Sequence, residues 1–234
     1  MNTHLEAGSR RQFVIRAGAL LGAAALLGPA PLGAAEKIKE SPTEDLMKEH
    51  GVLRRVMLIF EDIAGRLLGS AEVSLEPLRQ AAILVRRFIQ DYHEKDEEDY
   101  LFPRFEKAGK MMDLVKVLRA QHQAGRKLVD YLERRTGAGD LKNLEGRRRI
   151  RETLNSFNHM YRTHAAREDT VLYPAFRALI SPREFEVLGE TFEDKEVKLF
   201  GKNGFEKIVA QVAVLEQQLG IFDLARFTPK IGEQ

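Results

Sequence analysis

The sequence predicts an all-α chain: an antiparallel four-helix bundle followed by two further helices. Two observations lead there. Every long apolar pattern recurs at steps of three and four residues, and no segment shows the strict alternation of a strand. Four such amphipathic segments are long and joined by short connections, as in a bundle. The chain has 234 residues, 44% of them apolar and 31% charged, enough for one sizeable core, or one plus an appendage.

The first bundle helix is announced by Ser41-Pro42-Thr43-Glu44, a capping box with proline at the first helical position. Leu46, His50, Leu53, Met57, Phe60, Ala64 and Leu67 then form a seam that ends near Gly69. The second helix is expected from about 75 to 102, with the stripe Leu78, Ala82, Val85, Ile89, His93, Glu97, Tyr100 and Leu101. The third, about 111–135, presents Met111, Leu114, Val115, Leu118, His122, Val129 and Leu132, and "TGAGD" from Thr136 breaks it. The fourth, about 143–179, carries Ile150, Leu154, Phe157, Tyr161, His164, Glu168, Val171 and Leu172. Ser181-Pro182-Arg183-Glu184 repeats the capping box, a helix reaches about Phe200, and another runs from Phe205 through Ile208, Val212, Leu215 and Leu219 to Gly220. The division expected is a leader over 1–35, the bundle over 42–180 and a helical appendage over 181–234.

Residues 1–35 read as an export signal. "SRRQF" from Ser9 resembles the twin-arginine pattern, and an apolar stretch from about Ala17 to Leu32 leads to small residues around Ala34 and Ala35. That stretch is below the ~20 apolar residues a spanning helix needs, so no membrane association of the mature chain is expected. The expected destination is the periplasm by the twin-arginine route, which carries proteins already folded and so suits a cofactor loaded beforehand. Without the leader's three arginines and one glutamate, the 37 basic and 35 acidic residues fall to 34 of each. A neutral chain gives no reason to expect nucleic acid. Arg147, Arg148 and Arg149 read as a solvated helix face. The absence of cysteine excludes disulfides, thiolate metal sites and cysteine nucleophiles.

The chemistry lies in a repeat. "HEKDEEDYLFP" from His93 returns as "HAAREDTVLYP" from His164. Four residues advance a helix by about 400°, so His93 and Glu97 share a face one turn apart, as do His164 and Glu168. His50 precedes His93 by 43 residues and His122 precedes His164 by 42. Each helix hairpin therefore supplies one lone histidine and one His-x-x-x-Glu, all within the apolar seam. Burying them unpaired would cost several kcal/mol, and two buried glutamates repel unless protonated or bound to a cation. Two divalent ions would meet both demands, and imidazole plus carboxylate without thiolate suits iron, manganese or zinc.

At these residues the chain resembles the hemerythrin-like, HHE cation-binding family. "KEHGVLRR" at His50, "QHQAGR" at His122 and the two repeat motifs carry the resemblance from about 44 to 179, and "EQQLGIFDLARFTP" resembles the end of exported members. The resemblance implies a non-haem di-iron centre, with zinc or manganese less favoured, and O2 or a related small oxidant, peroxide or nitric oxide, as the ligand. His50, His93, Glu97, His122, His164 and Glu168 are its expected metal ligands. Oxygen carriers place a second histidine where this chain has Arg126, a permanent cation that cannot ligate. Glu168 is favoured over Asp169 on the fourth helix. Glu94 is expected on solvated surface, and His159 points away. Tyr161 is expected to line the pocket or donate a hydrogen bond behind the ligands, and Arg126 to pair with an acid, attract an anion or lay its stem along the seam. If both glutamates bridge, each ion keeps room for a small ligand, which favours turnover over carriage. The alternative is a module that binds or senses iron or oxygen without turnover.

Overall fold

The computed structural model describes residues 41–69, 73–135, 143–229 and 232. The leader expected over 1–35 lies outside the described residues.

Six helices account for most of them. α1 spans Pro42–Arg66. α2 is a continuous run of α segments Glu76–Leu84, Glu94–Asp96 and Phe102–Ala108 interleaved with π segments Val85–His93 and Glu97–Leu101. α3 spans Met112–Arg135. α4 joins Leu144–Arg167 to a π turn, Glu168–Leu172, and a last segment, Tyr173–Arg177. α5 is Pro182–Phe200 and α6 is Gly204–Leu219, followed by a 3-10 turn at Leu224–Phe227. No strand occurs among the described residues.

Local chemistry explains the boundaries. At Ser41 the box closes both ways: the Glu44 amide donates to Ser41 Oγ at 3.3 Å, and the Ser41 amide donates to Glu44 Oε2 at 3.1 Å. The second box forms only half. Ser181 Oγ accepts from the Glu184 amide at 3.2 Å, but the Glu184 carboxylate receives Arg104 instead. α2 runs six residues past the expected end. Pro103 lacks a donor and its ring crowds the carbonyl four residues back, and the π turn just before it, closed by Phe102 N–H to Glu97 O, widens the helix there. The Glu98 carbonyl is reached by the Arg119 guanidinium at 3.4 Å. The same sequence of π turn and proline recurs at Glu168–Leu172 and Pro174. Gly109 ends α2 in the left-handed region with φ 64°.

α1 to α4 close a ring in which α1 packs on α2 and α4, and α3 packs on α2 and α4. The expected seams point inward, and the whole α1 set from Leu46 to Leu67 is buried. Arg147 corrects its reading as solvated surface: it bonds the Leu67 and Gly69 carbonyls where α1 ends, while Arg148 and Arg149 pair with Glu145. α6 lies on α1 and α2, and α5 on α1 and α6. Arg55 grips Glu216 with two hydrogen bonds, of 2.9 and 2.5 Å, and Lys195 pairs with Asp96. None of the described helices is long and apolar enough to cross a membrane.

The apolar interior forms two clusters. One holds Leu53, Phe60, Phe88, Phe157 and Tyr161 with α6 side chains; the other holds Leu46, Phe102, Leu118, Tyr173 and Phe176 with α5 side chains. A layer of buried histidine and glutamate lies between them. Phe60 is fully buried and meets the Phe157 ring edge-on at 5.1 Å. Phe60→Ala should cost about 3–5 kcal/mol in equilibrium denaturation while the helical signal persists.

Candidate metal centre

The four expected histidines meet in that layer. His50 Nε2 lies 3.1 Å from His93 Nε2, and His122 Nε2 lies 3.2 Å from His164 Nε2. Each glutamate reaches from one imidazole pair to the other. Glu97 Oε2 is 3.8 Å from His93 and 3.3 Å from His122; Glu168 Oε2 is 3.0 Å from His164 and 3.4 Å from His50. All six are buried. Donor atoms of Glu97, His122, His164 and Glu168 fall within 4.8 Å of one another, close enough to share an ion.

An outer ring of polar groups turns the Nε2 atoms inward. His50 Nδ1 meets Asp169 at 2.7 Å, His93 Nδ1 meets Glu49 at 2.7 Å, His122 Nδ1 meets Glu98 at 3.1 Å and His164 Nδ1 meets Gln121 at 2.9 Å. The internal repeat extends to these partners. Glu49 and Gln121 precede the lone histidines, and Glu98 and Asp169 follow the repeat glutamates. Arg54 holds Asp169 and Arg126 holds Glu98, four residues after their respective histidines. The Tyr173 ring stacks on His50 and Phe102 on His122; only the tyrosine adds a hydrogen bond, 2.8 Å to Glu97 Oε1.

The layer fits cations. Glu97 Oε2 and both Glu168 oxygens are buried without a hydrogen bond, a costly state for a carboxylate. In the metal-free protein, protons carry the compensating charge. Burial opposes ionisation of His50, but the Asp169 and Glu168 carboxylates outweigh it and lift it to about 9. Burial likewise opposes ionisation of His122, which Glu94, Glu97 and Glu98 raise to about 10. His93 is pushed down to about 3, chiefly by burial and also by the raised His50 and His122 imidazoles. Glu97 is held well below the usual carboxylate range despite its burial, chiefly by His122 and His93. The two raised imidazoles thus set positive charge beside the buried Glu97 carboxylate, in the layer where cations would be held.

The remaining candidates fall where the geometry decides. Asp169 sits on the outer nitrogen of His50, not between the pairs. His159 is exposed. Arg126 pairs with acids, reaching Glu94 and Glu98 at 2.8 Å each. Glu94 corrects the expectation of solvated surface: it is 1% exposed and accepts a 2.6 Å hydrogen bond from Tyr161. Its repeat partner, Ala165, gives no hint of this. Glu49, Glu98 and Gln121 went unrecognised in the sequence, although their fixed offsets from the matched histidines and glutamates were there to be read.

Comparison with known proteins assigns the chain to a family. The family model described as the hemerythrin HHE cation binding domain matches residues 41–176. The chain belongs to the hemerythrin HHE cation-binding family. It is 42% identical over 194 residues to the uncharacterized proteins Rv1995 of Mycobacterium tuberculosis and Mb2018 of Mycobacterium bovis, covering 83% of this chain and 76% of each relative. No solved structure matches. The hemerythrin-family match ends at 176, before α5 and α6, so the side chains these helices place on the bundle lie beyond it.

The raised imidazoles give the metal-free protein a defined pH response. Folded-state values of about 9 for His50 and about 10 for His122 exceed the unfolded ~6.5. Their contribution is complete below ~6.5 and is lost as pH rises through 9 to 10. His93, depressed to about 3, acts oppositely and weakens the fold as pH falls below ~6.5. Urea midpoints of metal-free protein should peak near neutrality, and His122→Gln should flatten the alkaline limb. Gly125 is a second point of test. A Cβ there would lie 2.0 Å from the Tyr161 hydroxyl, so Gly125→Ala should cost about 1–3 kcal/mol, and Tyr161→Leu should restore part of the loss.

Proposed function

We propose that the chain is an exported non-haem di-iron protein that binds or reacts with O2 or a related small oxidant such as peroxide or nitric oxide. The observation that carries this reading is the span of each glutamate from one imidazole pair to the other. His50 and His93 would hold one ion, His122 and His164 the second, and Glu97 and Glu168 would bridge them. Four imidazoles and two carboxylates without a thiolate suit iron, in keeping with the family's cation-binding character. Bound iron would supply one-electron redox chemistry.

The chain's own residues prepare the site. Asp169, Glu49, Glu98 and Gln121 fix the imidazole orientations, an outer-shell arrangement that raises ligand basicity and holds geometry. Tyr173 fixes one oxygen of Glu97, and the other, which has no hydrogen bond, would be the one to hold a cation. The apolar clusters on either side keep bulk water from the layer. Shared bridging carboxylates use few protein donors per ion and leave positions for a small ligand, which favours turnover. Export rests on Ser9-Arg10-Arg11-Gln12-Phe13 and the small-residue stretch after it.

Protein purified from the exported fraction should hold two iron ions and show an absorption spectrum that azide or peroxide perturbs. His122→Ala should lose about half of the iron or more, as removal of a ligand demands; unchanged iron would overturn the ligand set. A full iron complement with no spectral response to azide, peroxide or nitric oxide would overturn the ligand-binding part. Arg10→Lys together with Arg11→Lys should leave the precursor in the cytoplasm on fractionation; normal export of that variant would overturn the twin-arginine route.

A further inference from the structure

Side chains of α5 meet α2 along the stretch that carries two of the six central groups. Phe192 meets the Tyr100 ring edge-on at 5.6 Å. Lys195 pairs with Asp96 and stands 5.5 Å from the centre of the Tyr92 ring. Phe200 meets Tyr92 edge-on at 5.3 Å and Phe88 at 5.6 Å. The residue numbers rise along α5 as they fall along α2, so the two segments run antiparallel in contact from Phe88 to Tyr100. His93 and Glu97 both lie within that span.

The α2 stretch between these two residues is not an ordinary helix. His93 closes one π segment, Val85–His93, and Glu97 opens another, Glu97–Leu101, with only Glu94–Asp96 in α geometry between them. A π turn departs from the hydrogen-bond ladder that fixes side-chain spacing in an α-helix, so the backbone alone does not set the separation of the imidazole and the carboxylate. Asp96 ends the short α piece. It is buried, its Oδ1 accepts from Lys195, and its Oδ2 is buried without a hydrogen bond. A carboxylate stays inside only while a cation compensates it. Without the ammonium, Asp96 would turn toward water and draw the neighbouring Glu97 with it. The other half of the bundle differs: Arg167 stands at the repeat position of Asp96 and is exposed.

We propose that Lys195 is a positioning residue for the metal centre: by holding Asp96 it fixes the α2 turn that presents His93 and Glu97, and so sets how firmly the ions are kept. The inference rests on the metal-centre reading above and adds a control on it from outside the residues matched by the family. Lys195 acts through Asp96 and touches none of the six central groups. Phe192 and Phe200 seat α5 on either side of the pair, which keeps the ammonium over the aspartate.

The test uses iron-loaded full-length protein in excess ethylenediaminetetraacetate, with the rate of iron release read from the loss of absorption. Lys195→Met should release iron about tenfold faster, the low end of what loss of an outer partner costs a metal site. Lys195→Gln, the milder change, keeps a donor for Asp96 without the charge and should fall between; Lys195→Arg, which keeps both, should restore slow release. Arg55→Met is the control for stability alone. It breaks a different tie of the appendage, to Glu216, away from the ligand turn, and should lower the urea midpoint while leaving the release rate unchanged. Release at the unsubstituted rate in Lys195→Met and Lys195→Gln, or equal acceleration in Arg55→Met, overturns the positioning role and leaves the metal centre standing. An unsubstituted protein that takes up no iron overturns the metal centre itself, and the positioning role with it.

Discussion

The structure is organised around one electrostatic constraint: six ionisable groups sit in the middle of a helical bundle with apolar side chains above and below. Water cannot solvate them there, so every charge has to be balanced within reach of its neighbours. In the metal-free protein the surrounding carboxylates raise His50 and His122, which sets positive charge in the middle of the layer. The outer ring serves the same end. Asp169 and Glu98 sit on imidazole nitrogens and are themselves held by Arg54 and Arg126, so alternating charge runs from the centre to the surface.

Most of this was legible in the sequence, because it is periodic. The seam spacing gave four helices whose inward residues are those expected, and the repeated His-x-x-x-Glu gave the six central groups. What was not legible depended on departures from periodicity. Glu94 follows His93 by one residue and would face outward on an isolated amphipathic helix. It is buried because α3 presents Arg126 to it and α4 presents Tyr161, neither of which a single-helix pattern reveals. Asp96 is buried for a comparable reason, since α5 brings Lys195 against it. The length of α2 was missed because a proline usually stops a helix, and the widened turn that accommodates it leaves no mark in the apolar pattern.

The two halves of the bundle are equivalent in their histidines and glutamates and unequal around them. One imidazole leans on a glutamate where its counterpart leans on a glutamine. One stacked ring carries a hydroxyl where the other does not. A buried acid stands where the other half has an alanine. The shared groups satisfy what two ions would require in common, and the differences fall on the groups around them.

The pairing of Lys195 with Asp96 bears on what counts as the folding unit. The family resemblance closes at residue 176, but a chain cut there would strand an aspartate, 1% exposed, immediately before Glu97, and would strip the partner from Arg55. The border of the family match is thus not a border of the packing: α5 and α6 supply the partners of charged groups that lie inside residues 41–176.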